Sequence, residues 1–509
     1  VEAKSNERAE QTLTNHERQT YCFGLSHILL VVASTLLMAV LSLLFIGDKS
    51  IWIDEAGSIF FARDWSQMWQ YLLSHESNMW LYYTMLNPWL KLGDSEAIIR
   101  ALSAIFAVAT IPAVYFLGKR LFGQRAGAIA TLLLASNAFF IRYAQEARGY
   151  TLLVLLVTLS SLFFVRAVST ASWKDWLGHA LCSALALYTH LFAALAYFVH
   201  VVSLALLGRR NLPWIEFAFS LLVLGILLIP MIVWQPLNSG QLDWISTPTA
   251  RHIYDFFLQL AGNRPLLVLY FIFCSTTLLA VFRTLPRQRG QYELWAHLLV
   301  AIWALAPLAV TMVFSWVIRP VFVSRYLIIS LPALALLAAA GISRLKRPWL
   351  RTAILLVILC LSARAISLLY IEHTKDDWRS TTRYVLSETQ PGDGAVFYLD
   401  SGRKAFVYYQ QRIDGNRTGL TVLELFVRER GKRGRYLDKP LLSSLPGRYE
   451  RIWLILNADR VYPDNEDLDR LVGALKNNYT KVQEREFVGI RVLLYKRAHP
   501  DGKMLQPVE

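Results

Sequence analysis

The sequence predicts a polytopic α-helical membrane protein of about eleven transmembrane helices, followed by a soluble C-terminal α/β domain. Three observations carry that prediction. Of the 509 residues, 55% are hydrophobic and only 17% charged, against roughly 25% charged in soluble domains. Mean hydropathy is positive, +0.37, and the apolar residues come in blocks near the length that crosses about 30 Å of hydrocarbon. After Tyr370 the composition changes to that of a soluble domain.

Residues 1–26 form a polar tail of mixed charge, expected on the cytoplasmic side. The first apolar run, His27 to Ile46, is too long for a signal-peptide core and lacks a small-residue cleavage site, so it reads as an uncleaved helix. Further spans are expected at 100–118, 126–141, 150–166, 177–190, 191–207, 217–234, 265–283, 294–318, 321–342 and 352–370, which makes 27–371 one membrane domain. Tyr188-Thr189-His190 marks the turn inside the short pair 177–207.

Charge sets the topology. Lys119, Arg120 and Arg125, then Arg209 and Arg210, then Arg283, Arg287 and Arg289, then Arg344, Lys346, Arg347 and Arg351 occupy alternate loops. Those loops read as cytoplasmic by the positive-inside rule, which places 47–99, 235–264 and the C-terminal domain outside. The net charge of +15 is spent in these loops, on topology and anionic lipid headgroups, not on nucleic acid. Cys22, Cys182, Cys274 and Cys360 lie in or beside apolar runs without metal-ligand spacing and read as packing residues.

The outer loop 47–99 holds Trp52, Trp65, Trp69, Trp80 and Trp89 among polar residues, as expected of a segment lying in the membrane interface, with a short amphipathic helix from Arg63 to Ser74. Loop 235–264, with Trp244, is expected to cover a cavity. In the tail domain, 372–509, Val396–Leu399 and Ile452–Leu456 read as buried strands, Asp467–Asn477 as a helix and Phe487–Tyr495 as a strand near an edge.

Trp52-Ile53-Asp54-Glu55-Ala56 is the stretch with chemistry in it. A membrane segment delivers two adjacent carboxylates to the interface, where partial desolvation makes them costly. Adjacent side chains diverge, so they do not form the facing pair of a glycoside hydrolase, whose carboxyls stand about 5–9.5 Å apart. One carboxylate suffices where the leaving group is already a good anion: a phosphate leaving a sugar carbon needs a base for the incoming hydroxyl and positive charge for the departing phosphate. That charge is present on the outer side, where it is expected to be scarce, as Arg142, Arg148 and Arg325, and guanidinium groups fork onto phosphate oxygens. A helical 142–150 would put Arg142, Glu146 and Tyr150 on one face, with Arg142–Glu146 as a structural ion pair and Arg148 pointing elsewhere. His75 and His190 are expected as packed interface histidines, with metal binding or sugar contact as the alternative for His75. No P-loop, GxGxxG, CxxC or HExxH pattern occurs, which argues against nucleotide-sugar donors and zinc hydrolysis. The Asn416 and Asn478 sequons matter only in a eukaryotic secretory lumen.

The motifs in order resemble a known family. Residues 52–56, His75 to Tyr83, Leu92 to Arg100, Lys119 to Gly123, Tyr143 to Tyr150 and Ser324 to Leu327 are similar to the bacterial GT-C glycosyltransferases. The nearest group is the protein-mannosyltransferase-like, RgtA/B/C/D-like set, kin to the lipid A aminoarabinose transferase. The resemblance covers about 45–370. It implies inverting transfer of a sugar from a polyprenyl-phosphate donor to a lipid, glycan or protein acceptor, on the periplasmic face of a bacterial inner membrane. It maps the first-loop acid onto Asp54, with Glu55 beside it. Arg148, Arg325 and Arg142 are then expected at the donor phosphate, and His75, Tyr82, Tyr83, Glu146, Tyr150, His190 and Tyr326 in the substrate pocket. Some relatives use a divalent cation near the acid; Mg or Mn, if bound here, would fall to Asp54, Glu55 and His75. The family often has His followed by prolines before its paired tyrosines, whereas His75 is followed by Glu76-Ser77-Asn78. Two other readings carry different expectations. A lipid-linked glycan flippase would place polar residues deep in several spans, and a non-catalytic scaffold would leave Asp54 without a purpose.

Overall fold

The computed structural model describes residues 26–74, 78–207, 213–234, 245–284, 291–372, 375–398, 400–415, 417–427, 436–457 and 466–498. Seven helical segments among them are long and apolar enough to cross a membrane. They are α1 (Ser26–Leu43), α5 (Glu96–Phe122), α8 (Tyr150–Thr170), α11 (Trp214–Trp234), α14 (Gln291–Val317), the segment Ser324–Ser343 and α16 (Pro348–Ile371). Ser324–Ser343 opens as a 3-10 helix, Ser324–Ser330, and continues as α15 (Leu331–Ser343).

Two further apolar helix pairs are sharply bent. Helices α6 (Gln124–Ala135) and α7 (Ala138–Ala144) meet at 63°. Asn137 makes that bend, its side-chain oxygen capping α7 by accepting from Phe140 N at 3.0 Å. Helices α12 (Ala250–Ala261) and α13 (Arg264–Thr284) meet at 88°. Against the expected eleven, length and composition give seven spans among the described residues, or up to nine if each bent pair is one span. The remaining two are α9 (Trp173–Thr189) and α10 (Ala193–Leu204), of 17 and 12 residues. The extended backbone of His190 separates them, and at 1.5 Å per residue neither reaches the roughly 30 Å of a full crossing.

The first loop folds into three short helices, α2 (Ile53–Ala62), α3 (Trp65–Ser74) and α4 (Trp80–Trp89). The expected amphipathic helix is α3, which buries Met68 and Leu72 and leaves Trp65 half exposed. Trp244 of the second loop lies outside the described residues. Its helix α12 packs against α7 and the 3-10 helix, so that loop flanks the elements that carry Arg325.

Beyond α16 lies a five-stranded mixed sheet in the order β2-β1-β5-β7-β6. Its strands are β1 (Gly394–Phe397), β2 (Thr421–Val422), β5 (Arg451–Asn457), β6 (Tyr479–Phe487) and β7 (Ile490–Arg497); β3 (Phe426–Val427) and β4 (Tyr436–Leu437) form a separate ribbon. Strand β5 is apolar from Ile452 to Leu456 because both its faces are covered. Trp453 and Ile455 join a core continuous with the membrane helices, whereas Ile452, Leu454 and Leu456 pack in a second cluster with Leu471 and Leu475. The first face carries α17 (Trp378–Glu388) and α18 (Asp400–Ile413), and the second carries α19 (Lys439–Arg448) and α20 (Glu466–Asn478). The expected strand Phe487–Tyr495 is strand β7 from Ile490 on, with its first residues forming a hairpin turn after Phe487, which ends β6. Gly489 makes that turn at φ +72°, and a Cβ there would also strike the Asp376 carboxylate. Strand β7 is interior, and β6 is the edge.

Candidate active site

The site begins where α1 hands the chain to α2. Ser95 caps α5 by accepting from Ile98 N at 3.3 Å, which places Arg100 one turn inside the membrane domain. Arg100 is 1% exposed, and all five of its N–H groups are engaged. Nε and Nη2 donate to the two oxygens of Glu55 at 2.7 and 2.8 Å, Nη1 to the carbonyls of Ile46 and Lys49 at 2.8 Å each, and Nη2 to that of Ser50 at 2.9 Å. One guanidinium thus shapes the turn and anchors the first turn of α2.

Glu55, fully buried, also accepts from Ala147 N at 3.0 Å, Lys375 Nζ at 3.0 Å and Trp52 N at 3.4 Å. Burial pushes its pKa up, but Arg100 and Lys375 outweigh that and hold it down at about 2. The expectation that Glu55 shares the catalytic and metal-binding roles does not fit this placement, because its oxygens are saturated by donors and its charge is met by two cations.

Asp54 precedes Glu55 by about 100° of helical turn and so faces the other way. Its side chain is 25% exposed, and Oδ2 lies 3.4 Å from Arg325 Nη2. Arg325 sits over the Tyr326 ring at 5.6 Å. Tyr326 meets His190 at 4.6 Å between ring centroids, and His190 meets Tyr150 at 6.2 Å. Arg148 lies 5.8 Å over Tyr150 and donates at 3.3 Å to both Ser58 Oγ and Tyr83 Oη. Ser58 stands one helical turn after Asp54, and its hydroxyl donates to the Asp54 carbonyl at 3.1 Å. A run of contacts therefore links Asp54, Arg325, Tyr326, His190, Tyr150, Arg148 and Tyr83: one carboxylate beside the Arg325 guanidinium, a second guanidinium one helical turn along at Ser58, and aromatic rings joining them. Burial, then Arg148 and Arg325, hold His190 neutral, with its pKa lowered to about 3. Tyr82 lies behind this lining, fully buried, its hydroxyl 2.9 Å from Ser103 Oγ.

The expected helix 142–150 does not form. Helix α7 ends at Ala144, a bend covers 145–149, and α8 starts at Tyr150, so Arg142, Glu146 and Tyr150 share no face. Gly149 permits the bend, because a Cβ there would meet Met79 Sδ at 2.9 Å and Tyr82 Cβ at 3.1 Å. Arg142 and Glu146 do lie together, at 3.6 Å. Glu146 is 1% exposed, neither of its oxygens accepts a hydrogen bond within the protein, and burial raises its pKa. Arg142, expected at the donor phosphate, instead lines a small cleft with Lys49, Arg100, Gln145 and Lys375.

His75 lies outside the described residues. Of the expected metal set this leaves Asp54 and a saturated Glu55, and no group of three His, Cys, Asp or Glu side chains suited to a cation occurs among the described residues. Among the described residues, Asp54 and the saturated Glu55 do not by themselves make a metal site, and no step below runs through a metal.

Arg100, Lys375 and Ser58 were not foreseen as site residues. Arg100 stands at the border of an apolar run, where it reads as a membrane anchor. Lys375 is 320 residues from Glu55 in the chain, and nothing local marks it.

Lys375 belongs to a wider seam between the two domains. Glu96 accepts from Arg379 Nη2 at 2.9 Å, Arg412 Nη1 at 2.7 Å and Tyr409 Oη at 3.0 Å. Tyr409 Oη in turn accepts from Ile51 N at 2.8 Å, next to α2. Helix α18 packs directly on α2. The sheet domain thus supports the helix that presents Asp54.

Residues 80–234 match the family described as dolichyl-phosphate-mannose-protein mannosyltransferase. No curated protein matches the chain in sequence. Among solved structures, the chain is similar to ArnT from Cupriavidus metallidurans in the apo state, with TM-score 0.61 and 14% identity over 92% of this chain and 98% of that one. Its similarity to the same protein bound to undecaprenyl phosphate has TM-score 0.59 and 14% identity, over 92% and 97%. The Archaeoglobus fulgidus oligosaccharyltransferase tethered to an acceptor peptide is similar with TM-score 0.53 and 12% identity, over 93% of this chain and 74% of that one. The chain therefore has the GT-C fold of membrane glycosyltransferases, and residues 80–234 within it match the dolichyl-phosphate-mannose-protein mannosyltransferase family.

Proposed function

We propose that the protein transfers a sugar from a polyprenyl-phosphate donor to an acceptor hydroxyl, with inversion, at the cleft around Asp54. The observation that carries this reading is one part-open carboxylate beside Arg325, with Arg148 one helical turn along at Ser58. The undecaprenyl phosphate bound to the structurally similar ArnT supports a donor of that chemical class.

In this mechanism the acceptor oxygen attacks the anomeric carbon from the face opposite the phosphate. The new C–O bond forms as the sugar–phosphate C–O bond breaks, and the bonding pair leaves with the polyprenyl phosphate. Asp54 takes the hydroxyl proton and later releases it to water. Arg148 and Arg325 meet the charge that grows on the departing phosphate; because they are fixed by Tyr83, Ser58 and Tyr326, little reorganisation is needed. Tyr150 and the neutral His190 supply a wall for the sugar.

The flippase alternative needs polar groups along an open path. The polar groups that do lie deep in the spans, Ser160, His179, Ser183 and His200, are at most 4% exposed and closed in by Phe164 and Trp176.

Purified protein supplied with radiolabelled polyprenyl-phosphate sugars and crude envelope acceptors tests the proposal. Transfer by wild type should fall roughly 10²–10⁴-fold in Asp54→Asn, with thermal unfolding unchanged. Undiminished transfer in the variant removes Asp54 from the base role, and no transfer with any donor removes the enzyme reading.

A further inference from the structure

A large cavity remains at the end of the membrane domain remote from Asp54. It measures about 910 Å³ and is lined by the last turns of α5 and α8 and the first turn of α14, through Phe116, Lys119, Arg120, Leu162, Arg166, Ser169, Thr170 and Tyr292. Helix α5 carries Arg100 at the Asp54 end and Lys119 nineteen residues on, and α8 runs from Tyr150 to Ser169 over the same count. At 1.5 Å per residue both separations are about 28 Å, close to the thickness of the hydrocarbon layer. The cavity therefore opens at the opposite membrane face.

Its lining is ordered by depth. Lys119, Arg120 and Arg166 lie at the rim. Phe116, 54% exposed, and Leu162 stand about one turn deeper on the same two helices, where the bilayer interior begins. Hydroxyl groups of Ser169, Thr170 and Tyr292 complete the wall. The charge is only partly spent: Arg166 pairs with Asp175 at 3.0 Å, and Thr170 Oγ1 donates to the same carboxylate at 3.1 Å. Lys119 and Arg120 are exposed and have no acidic partner among the described residues.

We propose that this cavity binds an anionic phospholipid of the leaflet opposite the Asp54 site, its phosphate between Lys119 and Arg120 and its proximal acyl chain against Phe116 and Leu162. Charge complementarity argues for an anionic headgroup. The apolar floor argues for a lipid over a free phosphate, since a soluble anion gains nothing from Phe116. The volume, within the roughly 300–1,000 Å³ of small-molecule pockets, suits a headgroup with the first part of its chains. Position separates this site from the ordinary cationic loops of that face: Arg125 and Lys346 are exposed and do not line the cavity.

Native mass spectrometry of the full chain released from detergent, with phosphatidylglycerol or phosphatidylcholine added, tests the proposal. Wild type should retain phosphatidylglycerol several-fold over phosphatidylcholine. The double variant Lys119→Gln/Arg120→Gln should lose that preference, while Arg125→Gln/Lys346→Gln keeps it. Ser169→Trp, which fills the cavity and leaves both cations, should reduce retention of phosphatidylglycerol and so gives an answer even where the charge variant fails to fold. Inorganic phosphate at millimolar concentration should not displace the lipid. Equal retention of the two lipids, equal loss in both double variants, unchanged retention in Ser169→Trp, or full displacement by phosphate would each overturn the assignment.

Discussion

Asp54 and Glu55 are neighbours in the chain and occupy two different environments. Around Glu55 the donors are complete: Arg100 gives two N–H groups, Lys375 and two backbone amides add theirs, and the side chain is fully buried. Around Asp54, Arg325 stands at 3.4 Å and a quarter of the side chain is open. A saturated carboxylate holds structure, whereas one held loosely beside a cation is available for chemistry. A buried charge is tolerated where its hydrogen bonds are complete. A base must keep an oxygen that substrate can reach.

The comparison can be broken most sharply at its two carboxylates. Asp54→Asn should abolish most transfer and leave stability within about 0.5 kcal/mol of wild type, as for an exposed position. Glu55→Gln should do the reverse first, costing about 3–5 kcal/mol by stranding Arg100 and Lys375. Thermal unfolding in detergent reads the difference, and equal melting temperatures for the two variants would end the distinction.

Next in size are the arginines. Arg148→Ala removes a guanidinium held by Ser58 and Tyr83 and should lower kcat/KM for the donor roughly 10–100-fold, the weight of one or two charged hydrogen bonds. Arg142→Ala, outside the cleft, should change it less than about twofold on the same scale. A comparable loss in both would return Arg142 to the phosphate. Lys375→Met should cost about 1–3 kcal/mol, seen as faster protease release of the domain beyond α16, with Arg100 still holding Glu55.

The smallest effect is the pH response. The Glu55 pKa lies below its ordinary 4.5, at about 2. Its stabilisation is therefore complete above pH 4.5 and is lost as pH falls through about 2. Burial of the neutral His190 costs stability as pH falls below 6.5, so melting temperature should decline from about pH 6.5, and Glu55→Gln should lessen only the part of the decline below pH 4.5.

Much of this was legible in the sequence for physical reasons. Asp54 stands out because a carboxylate just past a membrane segment is expensive, and Arg148 and Arg325 because cations are scarce on that side of the topology. The amphipathic α3, the buried strand β5 and helix α20 follow from periodicity that survives in the fold. What failed to show was set by distant partners. Glu55 looked like a second catalytic acid because nothing near it names Arg100, 45 residues on, or Lys375. The bend at 145–149 follows from the tight passage of Gly149 beside Met79 and Tyr82, which no local pattern encodes. The turn at Val488-Gly489 was absorbed into one strand because apolar residues alternate across it.

Lys375 also sets an order of events during synthesis. Glu55 and Arg100 leave the ribosome early, and their second cation follows Glu55 by 320 residues. At about 5–20 residues per second that interval is on the order of 16–64 s. Through all of it the helix bearing Asp54 lacks Lys375, Tyr409 and the packing of α18. A nascent chain therefore carries the Asp54 carboxylate long before the support that fixes its aim, and the finished protein is the first form in which that carboxylate and its scaffold coexist.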